Sequence, residues 1–140
     1  MEFYQGISEY YDAIFPTGEA QLALLTKKFA GKNRILDLAS GTGNYAIALA
    51  QQGYQVWGID LNANMIAQAQ AKGENKDLPV EFLVADMQEC DNFFPPKYFG
   101  GVFCIGNSLV HLPDKSAVFN LIKKVYHLLE DQGVFIIQII

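Results

Sequence analysis

The sequence predicts a doubly wound α/β domain on a parallel sheet, and three observations predict it. Short apolar runs alternate with stretches of helical period after residue 15. The runs are near-continuously apolar rather than alternating, the pattern of strands covered by helices on both faces. A glycine-rich turn, Ser40-Gly41-Thr42-Gly43, links the first run to the next helix, where open α/β sheets place their ligands. A chain of 140 residues is the size of one domain, so residues 1–140 read as a single unit.

The elements follow in order. Over Glu19–Ala30, Leu22, Leu25 and Phe29 fall on one helical face, with Thr17 placed to cap the start and Gly31 to stop it. Arg34–Leu38 is the first strand. Tyr45–Gln52 is helical and closed by Gly53, and Gln55–Asp60 is the second strand. Asn62 caps a helix over Ala63–Lys72 that Gly73 ends. Val80–Val84 and Gly101–Ile105 are the third and fourth strands, with Gln88–Lys97, which contains Pro95-Pro96, as the long irregular stretch between them. Asp114 caps an amphipathic helix whose apolar side carries Val118, Leu121, Ile122, Val125, Leu128 and Leu129. A turn at Asp131-Gln132-Gly133 then leads into a strand over Val134–Ile140.

Composition narrows the function. With 51% hydrophobic and 18% charged residues the chain buries a core, which excludes disorder. Its net charge of −5, with no basic run, argues against a nucleic-acid partner. No run is long enough for a membrane span and the N-terminus lacks the layout of a signal peptide, so a cytoplasmic location is expected. Cys90 and Cys104 have no metal-ligand spacing and read as buried reduced thiols; no metal site is expected.

Chemistry concentrates at Asp37-Leu38-Ala39-Ser40-Gly41-Thr42-Gly43-Asn44. Gly41 and Gly43 permit a sharp turn and a close backbone approach to a ligand, ahead of free N–H groups at the following helix N-terminus. Gly41-x-Gly43-x-x-Ala46 fits the dinucleotide fingerprint, and Asp60 ends the second strand 17 residues after Gly43, where a ribose-binding acid belongs. Asp37 lies just before the glycines. Beside a pyrophosphate it would cost about 4 kcal/mol for a unit pair about 4 Å apart at an effective dielectric near 20. A ligand with an ammonium and a sulfonium reverses that sign, and S-adenosylmethionine carries both together with a ribose. Asp37 can equally bond the N–H groups of its own loop.

In these residues the chain resembles the class I S-adenosylmethionine-dependent methyltransferases. Ile35-Leu36-Asp37-Leu38-Ala39-Ser40-Gly41-Thr42-Gly43 is similar to their first motif, with Ala39 in place of its first glycine. The resemblance implies a Rossmann-like sheet of strand order 3-2-1-4-5. It also implies a cofactor site of Asp37, Ala39, Ser40, Gly41 and Gly43 in the loop, with Asp60, Leu61 and Met65 after the second strand. Asp86 and Met87 follow the third strand, and Ile105 and Gly106 the fourth. Tyr4 and Tyr11, in an aromatic N-terminal segment like that of many such enzymes, are candidates to close over the methionine end. The segment Gly106-Asn107-Ser108-Leu109-Val110-His111 is similar to that of glycine and sarcosine N-methyltransferases. Asn107 and His111 are its candidate catalytic residues, although each also fits a cap or structural role; His127 reads as structural or solvated.

The implied activity is methyl transfer from S-adenosylmethionine to a small-molecule acceptor, an amine on the finer likeness, leaving S-adenosylhomocysteine. Two alternatives stand beside it: an NAD(P)-dependent oxidoreductase, and a catalytically inactive S-adenosylmethionine-binding module. The family's sheet has two further strands that this chain lacks, so the domain reads as C-terminally truncated. Val134–Ile140, uncharged and at the sheet edge, is then expected to pair with a second copy of the chain.

Overall fold

The computed structural model describes residues 18–105 and 112–138. Its five strands are β1 (Arg34–Asp37), β2 (Gln55–Asp60), β3 (Val80–Val84), β4 (Phe99–Cys104) and β5 (Leu129–Ile137). They pair in the order β3-β2-β1-β4-β5, every pairing parallel, as the resemblance implies. The helices are α1 (Glu19–Lys28), α2 (Asn44–Gln51), α3 (Ala63–Lys76) and α4 (Lys115–Leu128).

Alternation along the strands sends side chains into two cores. Ile35, Val56, Phe82 and Phe103 face α1, α2 and α3, where they meet Leu25, Phe29, Ile47, Leu49, Ile66 and Ala69. Leu36, Ile59, Val102 and Cys104 face α4, meeting Leu121, Val125 and Leu128. Every residue of β4 is buried, which is why its sequence is apolar without a break. The second face is covered less completely than the strand composition implies. Between β3 and β4 stands only a 3-10 helix, Met87–Asn92, within the stretch read as irregular, and Leu83, on that face of β3, is 39% exposed.

The helix boundaries follow local chemistry. Asn62 Oδ1 accepts from the Met65 N–H at 3.0 Å, and Asp114 Oδ1 from the Ala117 N–H at 2.8 Å, the two N-caps expected. Helix α1 ends at Lys28 rather than Ala30, and Gly18 occupies its N-cap without a side-chain bond; Thr17 lies outside the described residues. Helix α3 runs through Gly73 to Lys76 and closes on Asp77 at φ 51°. Gly73 ends nothing, because its missing side chain admits β3: a Cβ there would stand 3.0 Å from Val80 Cγ1.

Strand β4 begins two residues earlier than expected and ends at Cys104, and α2 spans Asn44–Gln51, one residue upstream of its expected position. The Asp131-Gln132-Gly133 turn persists as an irregularity inside β5, whose pairing jumps from Phe99↔Leu129 to Gly101↔Val134 while Gln132 adopts φ 67°. Ile139 and Ile140, the last residues of the expected strand, lie outside the described residues. No helix among the described residues is long and apolar enough to cross a membrane.

Candidate functional site

The parallel sheet brings the carboxyl ends of β1, β2, β3 and β4 to one edge, and the sequence-predicted residues that are described lie there. Asp37 ends β1 and is 2% exposed; its Oδ1 accepts from the Ala39 N–H at 3.2 Å, the loop-bonding role. Burial in an apolar surround pushes its carboxyl from an ordinary 3.8 up to about 8; the Ala39 bond opposes that rise and the nearby Asp60 charge adds to it.

Asp60 ends β2 and clamps the loop. Its Oδ2 accepts from the Gly41 N–H and its Oδ1 from the Asn62 N–H, both at 2.9 Å. The Ser40 N–H donates to the Ile59 carbonyl and the Gly43 N–H to the Ser40 carbonyl, each at 2.9 Å. The amides of Ala39, Ser40, Gly41 and Gly43 are thus all engaged within the protein. A turn whose amides are spent, flanked by two acids, is a poor cradle for a pyrophosphate.

It suits a ligand with a cation and hydroxyls. The Ser40 side chain is buried, and its Oγ has no hydrogen-bond partner among the described residues. A buried hydroxyl without a partner is costly unless something supplies one. Each Asp60 oxygen keeps a second lone pair after its backbone bond, enough for a pair of ribose hydroxyls. The residues present therefore fit S-adenosylmethionine.

The remaining residues are arranged less uniformly. Leu61 is 70% exposed beyond β2, whereas Met65 is buried in the first turn of α3. Asp86 Oδ1 accepts from the Gln88 N–H at 2.9 Å and caps the 3-10 helix, and Met87 packs partly buried on the α4-side core with Ala39. Ile105 is half-buried against the other core. Gly43 sits at φ 87° but faces α3 and β3 rather than the crevice. Tyr4, Tyr11, Gly106, Asn107 and His111 lie outside the described residues.

Sequence reasoning missed two residues here. Phe82 packs directly beneath Gly43 and Gly58, a neighbourhood that spacing cannot reveal. Gln138 ends the β5 pairing by donating its N–H to the Cys104 carbonyl at 3.0 Å, and its buried Oε1 has no partner among the described residues. The signal for Gln138 was present: it is the one polar side chain in an apolar run. His127 is exposed beside Tyr126, far from the loop at the opposite end of the sheet. Cys90 and Cys104 are buried free thiols, pushed up to about 11 and about 12 chiefly by burial, and so are poor nucleophiles.

Comparison with known proteins bears on the fold and the family. A protein assigned as a methyltransferase in Geobacillus sp. (strain WCH70) is 32% identical over 143 residues, covering 97% of this chain and 57% of its own length. The glycine/sarcosine N-methyltransferase of Aphanothece halophytica is 26% identical over 141 residues, covering 97% and 53%. The chain thus spans little more than half the length of these relatives. A crystal structure from Pyrococcus horikoshii OT3 superposes with TM-score 0.76 at 28% identity, covering 92% of this chain and 65% of that one. The CcbJ methyltransferase of Streptomyces caelestis, at 22% identity, shares the fold with TM-score 0.78 over 94% of this chain and 54% of its own. Residues 35–133 match the methyltransferase domain, and the chain belongs to that family, the class I S-adenosylmethionine-dependent methyltransferases.

Proposed function

We propose that the protein transfers the methyl group of S-adenosylmethionine to a small-molecule acceptor, an amine, by in-line displacement. The observation that carries the reading is the glycine turn: its amides are internally bonded, two carboxylates flank it, and the Ser40 hydroxyl is buried without a partner among the described residues. When bound, S-adenosylmethionine supplies an electrophilic methyl on a sulfonium.

The chain's own residues bind and orient. Asp37 faces the cationic methionine end, where the neighbouring cation favours its ionised form, and Ala39, Ser40, Gly41 and Gly43 shape the turn around it. Asp60 accepts the ribose hydroxyls with the lone pairs its backbone bonds leave free. Leu61 and Met65 flank the adenine, and Asp86 with the Met87 N–H addresses its amino edge. Ile105 leads from β4 to Gly106, Asn107 and His111, which we assign to the methyl face, with Tyr4 and Tyr11 closing the methionine end. A neutral amine attacks without a protein nucleophile, so the protein contributes alignment and an acceptor kept unprotonated. The amine is supported by the likeness to glycine/sarcosine N-methyltransferases.

Calorimetry with S-adenosylhomocysteine and with NAD tests the cofactor; the first is expected to bind and the second not. Release of S-adenosylhomocysteine on adding glycine, sarcosine or other small amines tests the acceptor. Tighter binding of NAD would overturn the cofactor. Binding without turnover of any amine would replace the enzyme with a binding module.

A further inference from the structure

We propose that Phe82, at the middle of β3, is a positioning residue of the cofactor loop, a role that rests on the cofactor reading of that loop. The ring is 4% exposed and lies where two glycines, one in the loop and one in β2, give way to it, with a third, in α3, at ordinary contact distance. A Cβ at Gly43, in the loop, would stand 2.6 Å from Phe82 Cζ and 3.1 Å from Ala69 Cβ. One at Gly58, the residue of β2 paired with Phe82, would stand 2.6 Å from Phe82 Cδ1 and 2.9 Å from Ser40 Cβ. One at Gly73, in α3, would stand 3.8 Å from Phe82 Cε2. The ring therefore fills the space beneath the loop from its buried serine to its last glycine.

The loop's two halves are held differently. Its entry is fixed by polar bonds: Asp37 to Ala39, Ile59 to Ser40 and Asp60 to Gly41. At its exit Gly43 bonds back to Ser40 and starts α2 from the left-handed region, resting on the tip of the ring. The ring thus sets the height of the exit above the sheet, and with it the Ser40 hydroxyl, whose Cβ lies over Gly58. A strand side chain that touches no ligand then fixes the shape of the surface a ligand meets, which is preorganisation.

Phe82→Leu, measured well below its melting midpoint, is expected to weaken S-adenosylhomocysteine binding on the order of tenfold to a hundredfold, the scale of a displacement of about 1 Å. Gly58→Ala, which thrusts a methyl into the ring, is expected to weaken it as well. The double variant should bind better than the product of the two losses, because the shorter side chain vacates that space. Should Phe82→Leu fail to fold, Phe82→Met takes its place with the same readouts.

A ligand-free readout separates this proposal from the cofactor reading. Hydrogen exchange at the Gly43 amide should quicken in Phe82→Leu relative to the Val102 amide in β4. A wild-type chain that binds no S-adenosylhomocysteine would sink the cofactor reading, while the exchange result still decides whether Phe82 holds the loop. A folded Phe82→Leu chain with a lowered midpoint, wild-type affinity and an unchanged Gly43 amide would make Phe82 an ordinary core residue and overturn the proposal.

Discussion

Asp60 and Asp37 stand one strand apart, yet the loop uses their carboxylates in opposite ways. Asp60 is half-buried and accepts from two backbone N–H groups, tying the loop and the start of α3 to the end of β2. Asp60→Ala removes both clamps as well as the ribose contact proposed for it. It is expected to weaken S-adenosylhomocysteine binding by about 1.5–3 kcal/mol, the range for hydrogen bonds to a charged group, with the fold retained. Calorimetry on the folded variant checks this, and an unchanged affinity would remove Asp60 from the site.

Asp37 is buried with one weak bond and holds its proton up to about pH 8. The folded chain keeps that proton and the unfolded chain releases it between pH 3.8 and about 8, so stability falls as pH rises through that window and levels off above it. Asp37→Asn should therefore flatten the fall in melting midpoint between pH 6 and about 8 in the ligand-free chain. A cation beside Asp37 favours its ionised form, so S-adenosylmethionine should bind more tightly as pH approaches about 8, and Asp37→Asn should abolish that gain. Equal losses of S-adenosylmethionine and adenosine in the variant would leave Asp37 with a loop-shaping role alone. The acids were legible in the sequence because their position at strand ends is set by chain order. What the glycines are for was not, since Phe82 reaches them only through tertiary packing.

Elements were read well where local chemistry sets their limits. Strands β2 and β3 have the residues expected, and the caps Asn62 and Asp114 act as expected, because a side chain two or three residues from its partner leaves a local signal. Helix α3 overran its expected end because Gly73 is there for the approach of β3, and a stop signal and a packing glycine look alike in one dimension. The two readings make different forecasts for Gly73→Ala. A stop glycine tolerates no side chain for backbone reasons, whereas this helical one would gain about 1 kcal/mol of propensity. Here the new Cβ would press on Val80 Cγ1 at 3.0 Å, and overpacking costs about 1–3 kcal/mol. The net expectation is a loss of about 1 kcal/mol, read from the denaturation midpoint at constant slope. A stabilised variant would mean that α3 shifts freely on β3.

At the scale of the molecule, the two edges of the sheet are unequal. The β3 edge carries Glu81, whose carboxylate bonds the Trp57 indole N–H at 3.1 Å; a charge on a short strand discourages pairing. The β5 edge carries its charges, Glu130 and Asp131, only ahead of its bulge: beyond it Val134, Phe135 and Ile136 are half-buried, Ile137 is 36% exposed, and the described stretch after Gly133 carries no charge. The bulge at Gln132 lies toward the amino end, and the outer backbone groups of the apolar half have no strand partner among the described residues. A second copy of the same edge satisfies those groups at no cost in new surface chemistry, so the 140-residue chain is expected to associate through β5. Placing a charge on the edge opposes this pairing, and Ile137→Lys should shift the population toward monomer with the fold intact. Light scattering at micromolar concentration reads the outcome. A stable monomer whose mass is unaffected by Ile137→Lys would show that the edge is already protected, and pairing through β5 would be abandoned.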